Sequence, residues 1–154
     1  SSQRRINLTE QEFYDRLPGE EARNGCRAII ETLEQWGVVP GWRTASVSLQ
    51  LPVPEDPANK FTLFVLTTKG EIYFWWLPEQ LERTGRSPQI AVDLIEGICN
   101  LFPMVSKRKN STLNGSIEPN VPNSALLESQ DQFCDLMEGT IEKIKDAKNR
   151  KSMS

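Results

Sequence analysis

Residues 61–77, FTLFVLTTKGEIYFWWL, limit the fold of this chain more than any other stretch. Two runs rich in aromatic and aliphatic residues, 61–67 and 71–77, flank Thr68, Lys69 and Gly70. Gly70 suits the left-handed position of a three-residue hairpin loop with a bulge. Pairing Thr67 with Glu71 then sets Val65 opposite Tyr73, Leu63 opposite Trp75 and Phe61 opposite Leu77 on one face. Leu66 with Ile72, Phe64 with Phe74 and Thr62 with Trp76 share the other. Both faces are apolar, so the hairpin needs a partner layer on at least one side. Neighbouring strand residues point to opposite faces, so Trp75 and Trp76 cannot enter the same core. The face of Trp75 is the one expected to be covered.

The preceding run, residues 46–51, alternates Val47, Leu49 and Leu51 with Ser46, Ser48 and Gln50, which predicts a strand with one wet face. Pro40-Gly41 reads as a turn before it. The proline-rich segment 52–59 reads as an exposed loop after it, because proline cannot donate to a ladder. Helices flank these strands. Thr9 and Glu12 form a T-x-x-E capping box, with Leu8 and Phe13 at the spacing of a hydrophobic staple, and a short helix follows over 10–17. Ala22, Cys26, Ile29, Ile30, Leu33 and Trp36 recur at three- and four-residue steps, one face of a second helix closed by Gly37. Ser87-Pro88 starts a third helix whose stripe is Ala91, Leu94, Ile95, Ile98, Leu101 and Phe102. A polar, irregular stretch over 107–121 precedes a last helix with Phe133, Leu136, Met137, Ile141 and Ile144 on its stripe. The expected fold is α+β, a three-stranded antiparallel meander packed with about four helices in the order α-α-β-β-β-α-α. One domain is expected over 1–148, with a frayed basic tail over 149–154.

With 154 residues the chain can bury roughly two thirds of its unfolded surface without staples. The net charge of −3 lacks the large basic excess of an autonomous nucleic-acid binder, although local charge still counts. No apolar run approaches the roughly 20 residues of a membrane span, and no signal-peptide pattern opens the chain. The start Ser-Ser-Gln-Arg-Arg, without methionine, points to an expressed fragment of a longer protein carrying a tag remnant. Cys26, Cys99 and Cys134 lie in helical apolar patterns without a C-x-x-C spacing, as buried free thiols of a cytoplasmic protein do.

No histidine occurs, so Ser-His and Cys-His nucleophile pairs are excluded, and no zinc site can be completed by histidine. A metal-dependent PD-(D/E)XK nuclease would place Glu-x-Lys on a core strand, but here Glu71-Ile72 is followed by Tyr73 and the preceding strands lack acidic residues. No G-x-G-x-x-G or G-x-x-x-x-G-K-[ST] phosphate cradle is present. The expectation is a nonenzymatic chain with no cofactor and no metal.

Two features could serve binding. Tyr73, Trp75 and Trp76 on a sheet either fill the core beneath helices or offer a stacking platform for bases. Lys107, Arg108 and Lys109, with Lys148, Arg150 and Lys151 near the C-terminus, are either solvated cations, some of them complementing a helix dipole, or a phosphate-contacting edge. The candidate contact residues are therefore Trp76, Phe74, Lys107, Arg108, Lys109, Lys148, Arg150 and Lys151.

Ile6-Asn7-Leu8-Thr9-Glu10-Gln11-Glu12-Phe13-Tyr14, the helix ending near Trp36-Gly37, the run FTLFVLTTKGEIYFWWL and the later NSALLESQDQFCDLMEGTIEKI together resemble a small bacterial α+β domain. That domain looks like a C-terminal appendage of multidomain proteins whose N-terminal part resembles a PD-(D/E)XK nuclease associated with DNA restriction or repair. The resemblance implies a noncatalytic accessory module that helps a nuclease-like domain engage DNA or assemble. DNA and a nuclease-like domain of the same chain are then the candidate partners, and the membrane is not. The rival expectation is a protein-interaction or homodimerisation domain, in which the hairpin face with Phe64, Phe74 and Trp76 meets another subunit.

Overall fold

The computed structural model describes residues 6–107, 117, 118, 121–123 and 125–152, with side chains described over 6–105, 122, 123 and 125–147. The capping box forms as expected. Glu12 donates its backbone N–H to the Thr9 hydroxyl at 3.2 Å, Thr9 donates its own to the Glu12 carboxylate at 3.0 Å, and α1 follows over Glu10–Arg16. These bonds hold the Glu12 carboxyl below its ordinary value, the backbone donor of Thr9 contributing most. Helix α2, Glu20–Glu34, buries Ala22, Cys26, Ile29, Ile30 and Leu33, and Gly37 follows at φ +90°.

The sheet is larger than a three-stranded meander. Five antiparallel strands run in the order β1 (Val39–Trp42), β2 (Ser46–Val53), β3 (Asp56–Thr67), β4 (Glu71–Tyr73) and β7 (Val121–Pro122). A separate pair joins β5 (Ser106–Lys107) to β6 (Ile117–Glu118). Pro40-Gly41, expected as a turn, lies within β1, and Pro52 and Pro57, expected in a loop, lie within β2 and β3. The physical reason is position. β1 is an edge strand that pairs with β2 only as far as Gln50, and β4 pairs with β3 only at Val65 and Leu66, so Pro40, Pro52 and Pro57 each border an unpaired side. Register shifts at Leu49/Gln50 and Pro52/Val53 absorb the irregularity.

The central hairpin has the expected register where its ladder forms: Val65 pairs with Tyr73 and Leu66 with Ile72, and Gly70 sits at φ +88°. Beyond Tyr73 the ladder ends. The expected pairings of Leu63 with Trp75, Thr62 with Trp76 and Phe61 with Leu77 are replaced by a helix, α3, over Leu77–Arg83, with Pro78 in its first turn. The Gln80 side chain takes over from the missing strand, accepting from the Thr62 backbone N–H at 2.6 Å.

Helices α4 (Gln89–Leu101), α5 (Ala125–Glu128) and α6 (Gln130–Ser152) complete the order. In α6 the helical backbone extends to Ser152, through most of the segment expected to fray. The inner sheet face, with Val47, Leu49, Phe64, Leu66 and Ile72, is sealed by the helices. Phe133 of α6 meets Phe64 edge-on at 5.4 Å between ring centroids. Gly97 of α4 lets α6 approach closely, since a Cβ there would lie 2.6 Å from Leu136 Cδ1. The three cysteines are free thiols, Cys26 and Cys134 buried and Cys99 half-buried rather than buried. Among the described residues no helix is long and apolar enough to cross a membrane.

Candidate functional site on the outer sheet face

Strand alternation sends Ser46, Ser48, Val65, Thr67 and Tyr73 to the face opposite the helices, as the pairings Ser46–Thr67, Ser48–Val65 and Val65–Tyr73 require. The expected wet face is thus present, but it is recessed. Ser48, Val65 and Thr67 are each less than 9% exposed, because they form the floor of a trough of about 400 Å³. Its walls are the β3–β4 loop, with Thr68 and Lys69, on one side and Trp76 on the other.

Trp76 reaches this trough because the chain leaves the strand. Tyr73 is the last residue of β4, and Trp76 has helical dihedrals (φ −87°, ψ −22°) at the entrance to α3. Period-two alternation no longer applies to it, so its ring joins Tyr73 and Val65 instead of Thr62 and Phe64. Trp75 lies elsewhere, bordering a narrow crevice lined by Leu63, Leu77 and the α4 residues Ala91, Leu94 and Ile95. Trp75 keeps its expected neighbours Leu63 and Leu77, whereas Trp76 has moved to the face of Val65 and Tyr73, and the hairpin face that the helices cover is that of Leu66, Ile72 and Phe74, not the one expected. Neither is covered: Trp75 is 58% exposed and Trp76 37%.

Phe74, expected as a contact residue, is instead core. Its side chain is 4% exposed and its ring centroid lies 5.9 Å from that of Phe64, since Ile72 and Phe74 both follow the inner face. Phe64 is fully buried as well, which removes the hairpin face of Phe64, Phe74 and Trp76 as a joint docking surface. Of the basic candidates, Lys107 is placed by its backbone in β5, paired with Ile117. Lys148, Arg150 and Lys151 occupy the last turns of α6, where cations complement the helix dipole. Arg108 and Lys109 lie outside the described residues, as do the side chains of the other four.

Lys69 is a site residue that the sequence reading missed. It is exposed on the trough rim, held there by a loop in which Gly70 donates to the Thr67 carbonyl at 3.1 Å and Glu71 donates to the Thr67 hydroxyl at 3.2 Å. The signal was its central place in the three-residue loop. Opposite it, the Tyr73 hydroxyl donates to Glu71 at 3.2 Å; burial first, then the Glu71 charge and this bond, raise its pKa above the ordinary value. The trough therefore offers two aromatic rings, a short row of hydroxyls and a cation at one rim. Such a surface can stack a flat ring and meet a nearby anion. Among the described residues no group of three or more His, Cys, Asp or Glu side chains could hold a metal ion.

No family model, no curated protein and no solved structure matches this chain.

Proposed function

We propose that this chain is a noncatalytic accessory module of a larger nuclease-like protein and that it engages single-stranded DNA on its outer sheet face. The observation that carries the reading is Trp76, part-exposed over a trough floored by Ser48 and Val65, with Tyr73 beside it and Lys69 on the rim. Base–aromatic stacking contributes about 1–3 kcal/mol per base and tolerates any sequence, so one exposed ring on a recessed sheet suits an assisting contact rather than a primary one. A recessed floor favours an unpaired base over a duplex, whose bases are already stacked. The likeness of residues 6–14 and 61–77 to the appendage of nuclease-like proteins supports the context.

Short single- and double-stranded DNA, titrated at two salt concentrations while Trp fluorescence is followed, tests the proposal. Single strands are expected to quench the emission and to bind more weakly at the higher salt, with duplex binding weaker throughout. Absence of single-strand binding at low salt removes the nucleic-acid reading.

A second reading rests on Trp75, which is 58% exposed beside the Leu63–Leu77 crevice and the α4 surface. A large ring in this setting suits contact with a second copy of the chain or with an adjoining domain. Light scattering that returns a monomer at high concentration counts against self-association.

A further inference from the structure

A second cleft, of about 410 Å³, opens between the tip of the β2–β3 hairpin and the C-terminal end of α3, away from the outer-face trough. Val53 and Phe61, both buried, supply its apolar part. The charged lining mixes signs: Glu55 and Asp56 come from the hairpin, as does Lys60, and Arg83 comes from α3.

Both walls are pinned from behind. Arg86, whose side chain is fully buried, forks onto Glu55 with Nη1–Oε1 3.0 Å and Nη2–Oε2 2.9 Å. Its Nε donates to the Ile144 carbonyl of α6 at 2.8 Å, and its guanidinium lies 5.1 Å from the Phe61 ring centre. On the other side, Gln80 accepts from the Thr62 backbone and donates to its hydroxyl, at 2.6 and 3.4 Å. A buried ion pair is a weak source of stability, since desolvation offsets much of its attraction. Its consequence here is geometric: Arg86 ties the hairpin tip at Glu55 to α6 at Ile144.

Arg86 offsets the charge of Glu55, so the cleft presents Asp56 and Lys60 from the hairpin and Arg83 from α3. Asp56 accepts from Asn59 through Oδ2 at 2.6 Å, which orients the carboxylate. Arg83 bonds Glu79 at 2.7 Å, but both side chains of that pair are 69% exposed and such surface pairs exchange readily with other partners. A simple anion would meet Asp56 uncompensated, and a simple cation would meet Lys60 and Arg83. We propose that this cleft binds a small zwitterion of the α-amino-acid class. Its carboxylate lies between Lys60 and Arg83, its ammonium meets Asp56, and its aliphatic part rests on Val53 and Phe61. The volume suits a compact ligand, near the lower end of small-molecule sites.

Nitrogen-15-labelled protein titrated with leucine, N-acetyl-leucine and leucinamide tests the proposal by amide chemical shifts. Leucine is expected to move the amides of Asp56, Lys60, Arg83 and Thr84 saturably at millimolar concentration. N-acetyl-leucine, lacking the ammonium, and leucinamide, lacking the carboxylate, are each expected to bind about fivefold more weakly, the size of one solvent-exposed ion pair. Lys60→Ala, at an exposed strand position, is expected to weaken leucine by about the same factor. Leucine leaving these amides unmoved, or either derivative binding as tightly as leucine, overturns it.

Discussion

Glu55→Gln keeps the shape of the side chain and removes the charge that faces the buried Arg86 guanidinium. Exposed ion pairs contribute about 0–1 kcal/mol. Removing one partner of a fully buried pair costs about 3–5 kcal/mol. This pair lies between the two limits: the Arg86 side chain is 0% exposed and that of Glu55 33%, so water reaches one partner only. Arg86 also keeps its bond to the Ile144 carbonyl. A coupling of about 2 kcal/mol follows between Glu55 and Arg86. Glu55→Gln would lower the melting temperature by about 4–8 °C in a domain of this size. Urea unfolding of the unaltered protein, Glu55→Gln, Arg86→Met and the double variant isolates the pair from any other contact of either residue. The double variant is expected to lose about 2 kcal/mol less than the sum of the two single losses, with the denaturant slope unchanged. A coupling below about 0.5 kcal/mol, the scatter of independent sites, would refute the view that the pair pins the hairpin tip to α6.

Two further predictions concern backbone and burial. Gly70→Ala is expected to destabilise by at least about 1–2 kcal/mol, because Gly70 is left-handed at φ +88° and a Cβ would lie 2.7 Å from Pro18 Cγ, whereas Gly139→Ala, in open space on α6, is expected to stabilise by up to about 1 kcal/mol. Denaturation midpoints that move the same way for both variants would contradict this. Burial pushes the Cys26 thiol up to about 12 from an ordinary 9.0. The unfolded thiol therefore loses its proton first, and stability falls as pH rises from 9 towards 12, by up to about 1.4 kcal/mol per pH unit. Cys26→Ala should remove that share of the slope; equal slopes in the two proteins would count against it. Tyr14, whose hydroxyl burial also holds above its ordinary value, contributes a separate fall at higher pH.

The elements legible in the sequence are those decided by local chemistry. Thr9 and Glu12 announce a capping box, the Ala22–Leu33 stripe announces α2, and Gly70 with its flanking runs sets the hairpin register near the turn. The missed elements depend on neighbours that local patterns do not reveal. Pro40 is compatible with a strand only because β1 lies at a sheet edge, and β7 pairs with β4 from about 50 residues downstream, a contact without a local signature. Helix α3 had signals: Pro78 in a first turn, Leu77 and Leu81 one turn apart, and Glu79 with Arg83 at i,i+4. The β-propensity of the aromatic run hides them by carrying the strand pattern on to Leu77, which places Trp76 on the wrong face. The polar face of β2 was legible from Ser46, Ser48 and Gln50. Its recess was not, because the wall that makes it comes from Trp76 after the chain has left the sheet.

Fluorescence anisotropy of a labelled single-stranded oligonucleotide, compared between Trp76→Ala and Trp75→Ala at low salt, tests most directly whether the outer sheet face is the contact surface. Loss of about 1–3 kcal/mol of stacking predicts that Trp76→Ala binds roughly fivefold to a hundredfold more weakly, while Trp75→Ala stays close to the unaltered protein. Binding that survives in Trp76→Ala and fails in Trp75→Ala would contradict the assignment and move the contact to the α4 crevice.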